Sequence, residues 1–204
     1  MDSKEFDRLL RLDAEAVRDS AGFAAQAGPG DLSRPTPCDG WDLRRLLAHM
    51  TAQHRGFAAA ARGRGGEAGV WAEWPTASDP VADHLTAAED VTAAFAELSG
   101  PQQALALPQL AQDGQFPAAL AVGFHLVDYL VHGWDVARSL GRDYDPGDEL
   151  LEAGLAVALA VPRGQARLAA GSAFKPELDP APGAGPLDRT LALLGRRPDW
   201  TPAC

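Results

Sequence analysis

The chain has 204 residues, with 18 Lys and Arg against 28 Asp and Glu and a net charge of −10. That length can bury a substantial core without disulfide or metal staples, and an acidic total with no basic stripe argues against nucleic acid or anionic lipid as a partner. Cys38 and Cys204 are far apart in sequence, the N-terminus has no basic-then-apolar signal segment, and the most apolar window, residues 150–161, is broken by Glu152 and Gly154. The expectation is a soluble, cytoplasmic protein with free thiols that takes a small-molecule substrate.

Four long segments have helical periodicity and none has convincing strand alternation, so an all-α fold is expected. The first runs from about Lys4 to Gln26, with Phe6, Leu9, Leu10 and Val17 on one face and Gly28-Pro29-Gly30 ending it. The second opens on Asp42 as N-cap, carries Leu43, Leu46, Leu47, Met50 and Phe57 on its apolar side, and stops near Gly63. The connection from Gly63 to Ser78 is long and contains Pro75, Trp71 and Trp74; the two tryptophans are read as packing on the bundle, with a pocket mouth as their other use. The third helix spans about Asp79 to Leu98, with Pro80 at its first position, and the fourth about Phe116 to Leu140, stopped by Gly141. A fifth, shorter helix is expected from about Gly147 to Val161. Residues 1–163 would form the helical bundle. Residues 164–204 would form an extended strap with a short helix from Leu187 to Leu194, given something to bury by Phe174, Leu178, Leu187, Leu191 and Trp200, disorder being the main alternative for residues 164–186.

Chemistry concentrates on the fourth helix. His125, Asp128, His132 and Asp135 fall at i, i+3, i+7 and i+10, an arc of roughly 80° at ~100° per residue, on a helix otherwise apolar nearly all round. A buried titratable stripe needs neutralisation, pairing or a metal. Asp128 and His132, four apart, have the spacing of two ligands to one ion, and His49 on the second helix is the candidate third. His49 and His132 can meet only if the second and fourth helices run antiparallel, which requires one long crossover; the 63–78 connection can supply it. Asp135 either orients the free ring nitrogen of His132 or pairs at the surface with Arg138. His125 is a candidate fourth ligand, acid/base group or hydrogen-bonded pocket residue; His54 is read as structural and His84 as exposed.

The stretches Thr36-Pro-Cys-Asp-Gly-Trp-Asp-Leu-Arg-Arg-Leu-Leu-Ala-His49, Asp128-Tyr-Leu-Val-His-Gly-Trp-Asp-Val-Ala-Arg138 and Pro186-Leu-Asp-Arg-Thr-Leu-Ala-Leu-Leu-Gly-Arg-Arg-Pro198 resemble the actinobacterial metal-binding branch of the DinB-like superfamily, related to the N-terminal domain of mycothiol-dependent maleylpyruvate isomerase. The resemblance covers nearly the whole chain. It implies a four-helix bundle with the second and third helices parallel, and a divalent metal on His49, Asp128 and His132, with Asp128 where the isomerase has Glu. Zinc is the default ion, nickel, iron or manganese being compatible with such a donor set. Cys38 matches a cysteine common in the family and is read as packing.

The resemblance further implies an enzyme that activates a low-molecular-weight thiol, mycothiol, for transfer to a small electrophile or for its isomerisation. Maleylpyruvate itself is the less favoured substrate, because the isomerase carries a larger C-terminal domain that this tail does not reproduce. The alternatives are a metal-dependent hydrolase and a non-catalytic metal- or small-molecule-binding bundle, for which a homodimer is a candidate state.

Overall fold

The computed structural model describes residues 1–74, 77–111, 114–168 and 174–202. Its helices are α1 (Ser3–Ala24), α2 (Leu43–Ala61), α3 (Pro80–Ala96), α4 (Ala118–Ser139), α5 (Asp148–Ala160) and α6 (Pro186–Leu193). Local chemistry sets their starts. Asp2 and Glu5 form a reciprocal capping box on α1, Asp42 accepts from Arg45 N at 2.8 Å on α2, and Asp79 accepts from Ala82 N ahead of Pro80 on α3. Gly141 after α4 and Gly195 after α6 take positive φ of 68° and 77°, the left-handed conformation that ends a helix at little cost only for glycine.

Named contacts give the helix directions. Arg55 of α2 faces Asp83 of α3, and seven residues on Arg62 faces Asp90, so α2 and α3 are parallel. His49 meets His132 and His54 meets His125, so α2 and α4 are antiparallel. Asp13 meets His125 and Phe23 meets Tyr144 beyond the end of α4, so α1 and α4 are parallel. The long connection between α2 and α3 is the crossover. Within it a short 3-10 turn, Ala68–Trp71, seats the Trp71 ring so closely on α2 that a Cβ at Gly56 would lie 2.0 Å from it, while the indole donates to Gly65 O at 2.8 Å. Trp74 stays exposed, with Arg55 stacked 5.1 Å from its ring centre.

Two apolar clusters fill the bundle. One gathers Leu12, Leu46, Leu130 and Trp134 together with Leu191 and Leu194 of the C-terminal segment; the other gathers Phe57, Phe95, Leu105 and Val122. Burial of these side chains, each worth about 1.5–3 kcal/mol, ties the strap to the helices. Pro75 and Cys204 lie outside the described residues, as do residues 169–173 of the strap.

The structure departs from the sequence reading in two places, and at Asp135 it decides between two alternatives. Ala104–Ala106 (β1) and Gln115–Pro117 (β2) pair as an antiparallel hairpin, Leu105 opposite Phe116, so Phe116 belongs to a strand and α4 starts at Ala118. Three-residue strands are too short to display an alternating pattern. His84 is wholly buried, because it shares the α3 stripe with Ala88, Val91 and Phe95, all facing the core. Asp135 makes no surface pair with Arg138, which bonds to Trp200 O and lies near Asp143 instead.

Candidate metal centre

Antiparallel α2 and α4 bring His49, Asp128 and His132 to one place: one donor atom from each can be chosen so that all three lie within 4.8 Å of one another. His132 Nε2 is 3.5 Å from Asp128 Oδ1, and the rings of His49 and His132 meet edge to face with centroids 5.5 Å apart. Each imidazole is anchored through its other nitrogen. His132 Nδ1 donates to Asp135 Oδ2 at 2.8 Å and His49 Nδ1 donates to Glu73 Oε1 at 2.9 Å. A carboxylate on Nδ1 fixes ring and tautomer and leaves Nε2 to face the cluster, the support that metal-binding histidines commonly receive. On the solvent side Trp41 lies 5.0 Å from the His49 ring, with Arg45 stacked over the indole at 4.9 Å.

A second cluster shares His132. Cys38 Sγ, His132 and Asp135 also bring donor atoms within 4.8 Å of one another. This group already contains a cation. Arg196, from the segment after α6, donates to Asp135 Oδ2 at 3.0 Å and Oδ1 at 3.2 Å and to Cys38 Sγ at 3.3 Å, while the thiol donates to Asp135 at 3.4 Å. A divalent ion bound to the same atoms would sit about 4 Å from the guanidinium, a repulsion of roughly 8 kcal/mol at an effective dielectric of ~20. Among the described residues no Arg or Lys donates into the outer cluster, and its two imidazoles and one carboxylate are the donor set of a mononuclear zinc-type centre with a position left over for a further ligand.

The electrostatics follow the same division. Burial works against a charge on His132, but Asp128 and the bonds to Asp135 and Cys38 outweigh it and push the imidazole up to about 10. Burial likewise opposes the Asp135 charge, yet Arg196 and His132 hold the carboxyl down to about 2. His49 is lowered, first by burial and then by neighbouring His132. The outer cluster without an ion therefore favours a positive charge at His132, which a divalent cation would replace.

His125 is directed elsewhere. Its Nδ1 donates to Asp13 Oδ1 at 2.7 Å, so its Nε2 accepts from His54 Nδ1 at 3.2 Å. His54 stacks on Tyr129 at 3.8 Å and lies 5.1 Å from the His84 ring. Among the described residues, His54 Nε2 and both nitrogens of His84 find no hydrogen-bond partner. Burial holds His84 neutral, down to about 4, and pushes His54 well below its ordinary value. Arg196 and Glu73 were not singled out from the sequence. Both lie far from the His132 and His49 they serve, and only Arg196, inside Leu-Gly-Arg-Arg-Pro, stood in a quoted motif. A surface depression of about 550 Å³ lies over the strap, lined by Leu178, Asp188, Arg197 and neighbours, and has no wall in common with the His49 cluster.

Residues 14–137 match the mycothiol maleylpyruvate isomerase N-terminal domain family, and the chain belongs to that family. The same bundle occurs in crystal structures of mycothiol-dependent maleylpyruvate isomerase. A histidine-to-alanine mutant superposes with a TM-score of 0.59 at 13% identity, and a second structure of the isomerase with 0.54 at 17%, each over 76% of this chain and 71% of the other. Two uncharacterized proteins of Mycobacterium tuberculosis, from strains CDC 1551 and H37Rv, are each 30% identical over 181 residues, 86% of this chain and 91% of theirs. Among the described residues no helix is long and apolar enough to cross a membrane.

Proposed function

We propose that this protein is a metal-dependent, thiol-using enzyme. In this reading His49, Asp128 and His132 hold a divalent cation, zinc in the first instance, and the co-substrate is mycothiol, used to isomerise or to modify a small electrophile. The observation that carries the proposal is the pair of histidines from antiparallel helices, each tied through Nδ1 to its own carboxylate, with Asp128 beside them. When bound, such a cation lowers the pKa of a coordinated thiol and so supplies a thiolate at neutral pH. Glu73 and Asp135 hold the two rings in register, and Trp41 with Arg45 shapes the approach to His49. Membership of the isomerase-domain family supports the choice of mycothiol and of isomerisation as the reaction to try first.

The test is turnover by zinc-loaded protein, with mycothiol, of maleylpyruvate and of a panel of unsaturated and alkylating electrophiles. Mycothiol-dependent conversion that stops on chelation is expected. Conversion that is indifferent to the thiol would replace this reading with a hydrolase, and no conversion of any member would favour a binding protein.

A further inference from the structure

His132 is common to two donor clusters, and what separates them is one side chain. We propose that Arg196 is the resident cation of the inner Cys38–His132–Asp135 cluster, and that it confines a divalent ion to the His49–Asp128–His132 side of the shared imidazole. The inference rests on the outer cluster being the metal site, as proposed above.

The inner cluster has every chemical qualification for a metal. A thiol sulfur, an imidazole nitrogen and a carboxylate oxygen lie within 4.8 Å of one another, and sulfur makes the set more attractive to zinc-like ions than the all-nitrogen-and-oxygen outer group. Arg196 fills it instead. Its planar fork spans both acceptors at once, Nη2 reaching Asp135 Oδ2 at 3.0 Å and Cys38 Sγ at 3.3 Å while Nε reaches Asp135 Oδ1 at 3.2 Å. The guanidinium is delivered rigidly. The Arg196 backbone N–H bonds to Leu191 O at 2.8 Å, and Gly195 before it has a positive φ of 77° in a spot where a Cβ would lie 2.6 Å from Lys175 Cβ. Only 10% of the Arg196 side chain meets solvent, so its charge is little screened. A metal entering the inner cluster would have to expel this cation and release the thiol proton to solvent. Arg196 therefore determines specificity: it keeps sulfur out of the coordination sphere and leaves Asp135 free to orient His132.

Cobalt(II) substitution tests this in the full-length protein, because a thiolate ligand produces a sulfur-to-cobalt charge-transfer band in the near ultraviolet. Wild type and Arg196→Lys, which retain the cation, should bind cobalt without that band. Arg196→Met, and Arg196→Gln should the methionine variant not fold, should gain it and lose it again on adding Cys38→Ser. A sulfur band in wild type overturns the inference, as do neutral variants that bind cobalt at wild-type stoichiometry without one. Wild-type protein that binds no cobalt would instead sink the outer site. A neutral variant that then took cobalt through Cys38 would still uphold the role of the guanidinium.

Discussion

Replacing His84 by leucine should stabilise the protein, and increasingly so towards acid. Both His84 ring nitrogens are buried without a hydrogen-bond partner among the described residues, an arrangement that costs about 1–3 kcal/mol relative to an apolar side chain of similar volume. Some ring contact with His54 is lost in exchange, so a net gain of about 1 kcal/mol is expected near pH 7.5. Folding also holds the imidazole neutral, lowering it from 6.5 to about 4. The unfolded chain then binds more protons between those values, so the wild type has its full stability above about pH 6.5 and loses it as pH falls towards 4. At ~1.4 kcal/mol per pH unit the loss by pH 5 is about 2 kcal/mol, and the variant escapes it. Urea denaturation of wild type and His84→Leu at pH 7.5 and pH 5 gives both numbers. A variant less stable than wild type at pH 7.5, or one whose stability falls equally between the two pH values, would refute the reasoning.

Glu73→Gln should weaken metal binding by about 10–100-fold through loss of the His49 anchor, while thermal stability of the metal-free protein stays near wild type because Glu73 is about a third exposed. Competition with a chelating dye measures the first and calorimetry the second; an unchanged affinity would mean Glu73 does not orient the ligand. Gly56→Ala should cost about 1–3 kcal/mol in chemical denaturation, because the new methyl group meets the buried Trp71 ring and the crossover must lift off α2. Wild-type stability in that variant would show that the crossover yields freely.

Helix positions were legible because they rest on local signals: the Asp42 N-cap, Pro80 at a first helical position, the stop at Gly141, and apolar periodicity between them. Depth along the two helices sets a condition for His49 to meet His132, antiparallel α2 and α4 joined through one long connection, and the family resemblance implies that arrangement. The supports of that site were not legible in the same way. Arg196 reaches Asp135 across 61 residues and Glu73 reaches His49 from an irregular loop, and no local pattern encodes such a contact. The burial of His84 is legible in the sequence. Its place in the first turns of α3 suggests exposure, but its spacing to Ala88, Val91 and Phe95 puts it on the buried stripe of that helix. Asp135 is open in the sequence between orienting His132 and pairing with Arg138; it does the first, and its cation is Arg196 of the C-terminal segment, which the pattern on α4 alone could not contain.

The central claim, one ion held by His49, Asp128 and His132, is tested most directly by elemental analysis of untagged protein purified without added metal, alongside His49→Ala, Asp128→Ala and His132→Ala. The account predicts close to one zinc-like ion per chain in the wild type and little retained by the two histidine variants, with circular dichroism showing the bundle intact. Wild-type metal content in both histidine variants would contradict it.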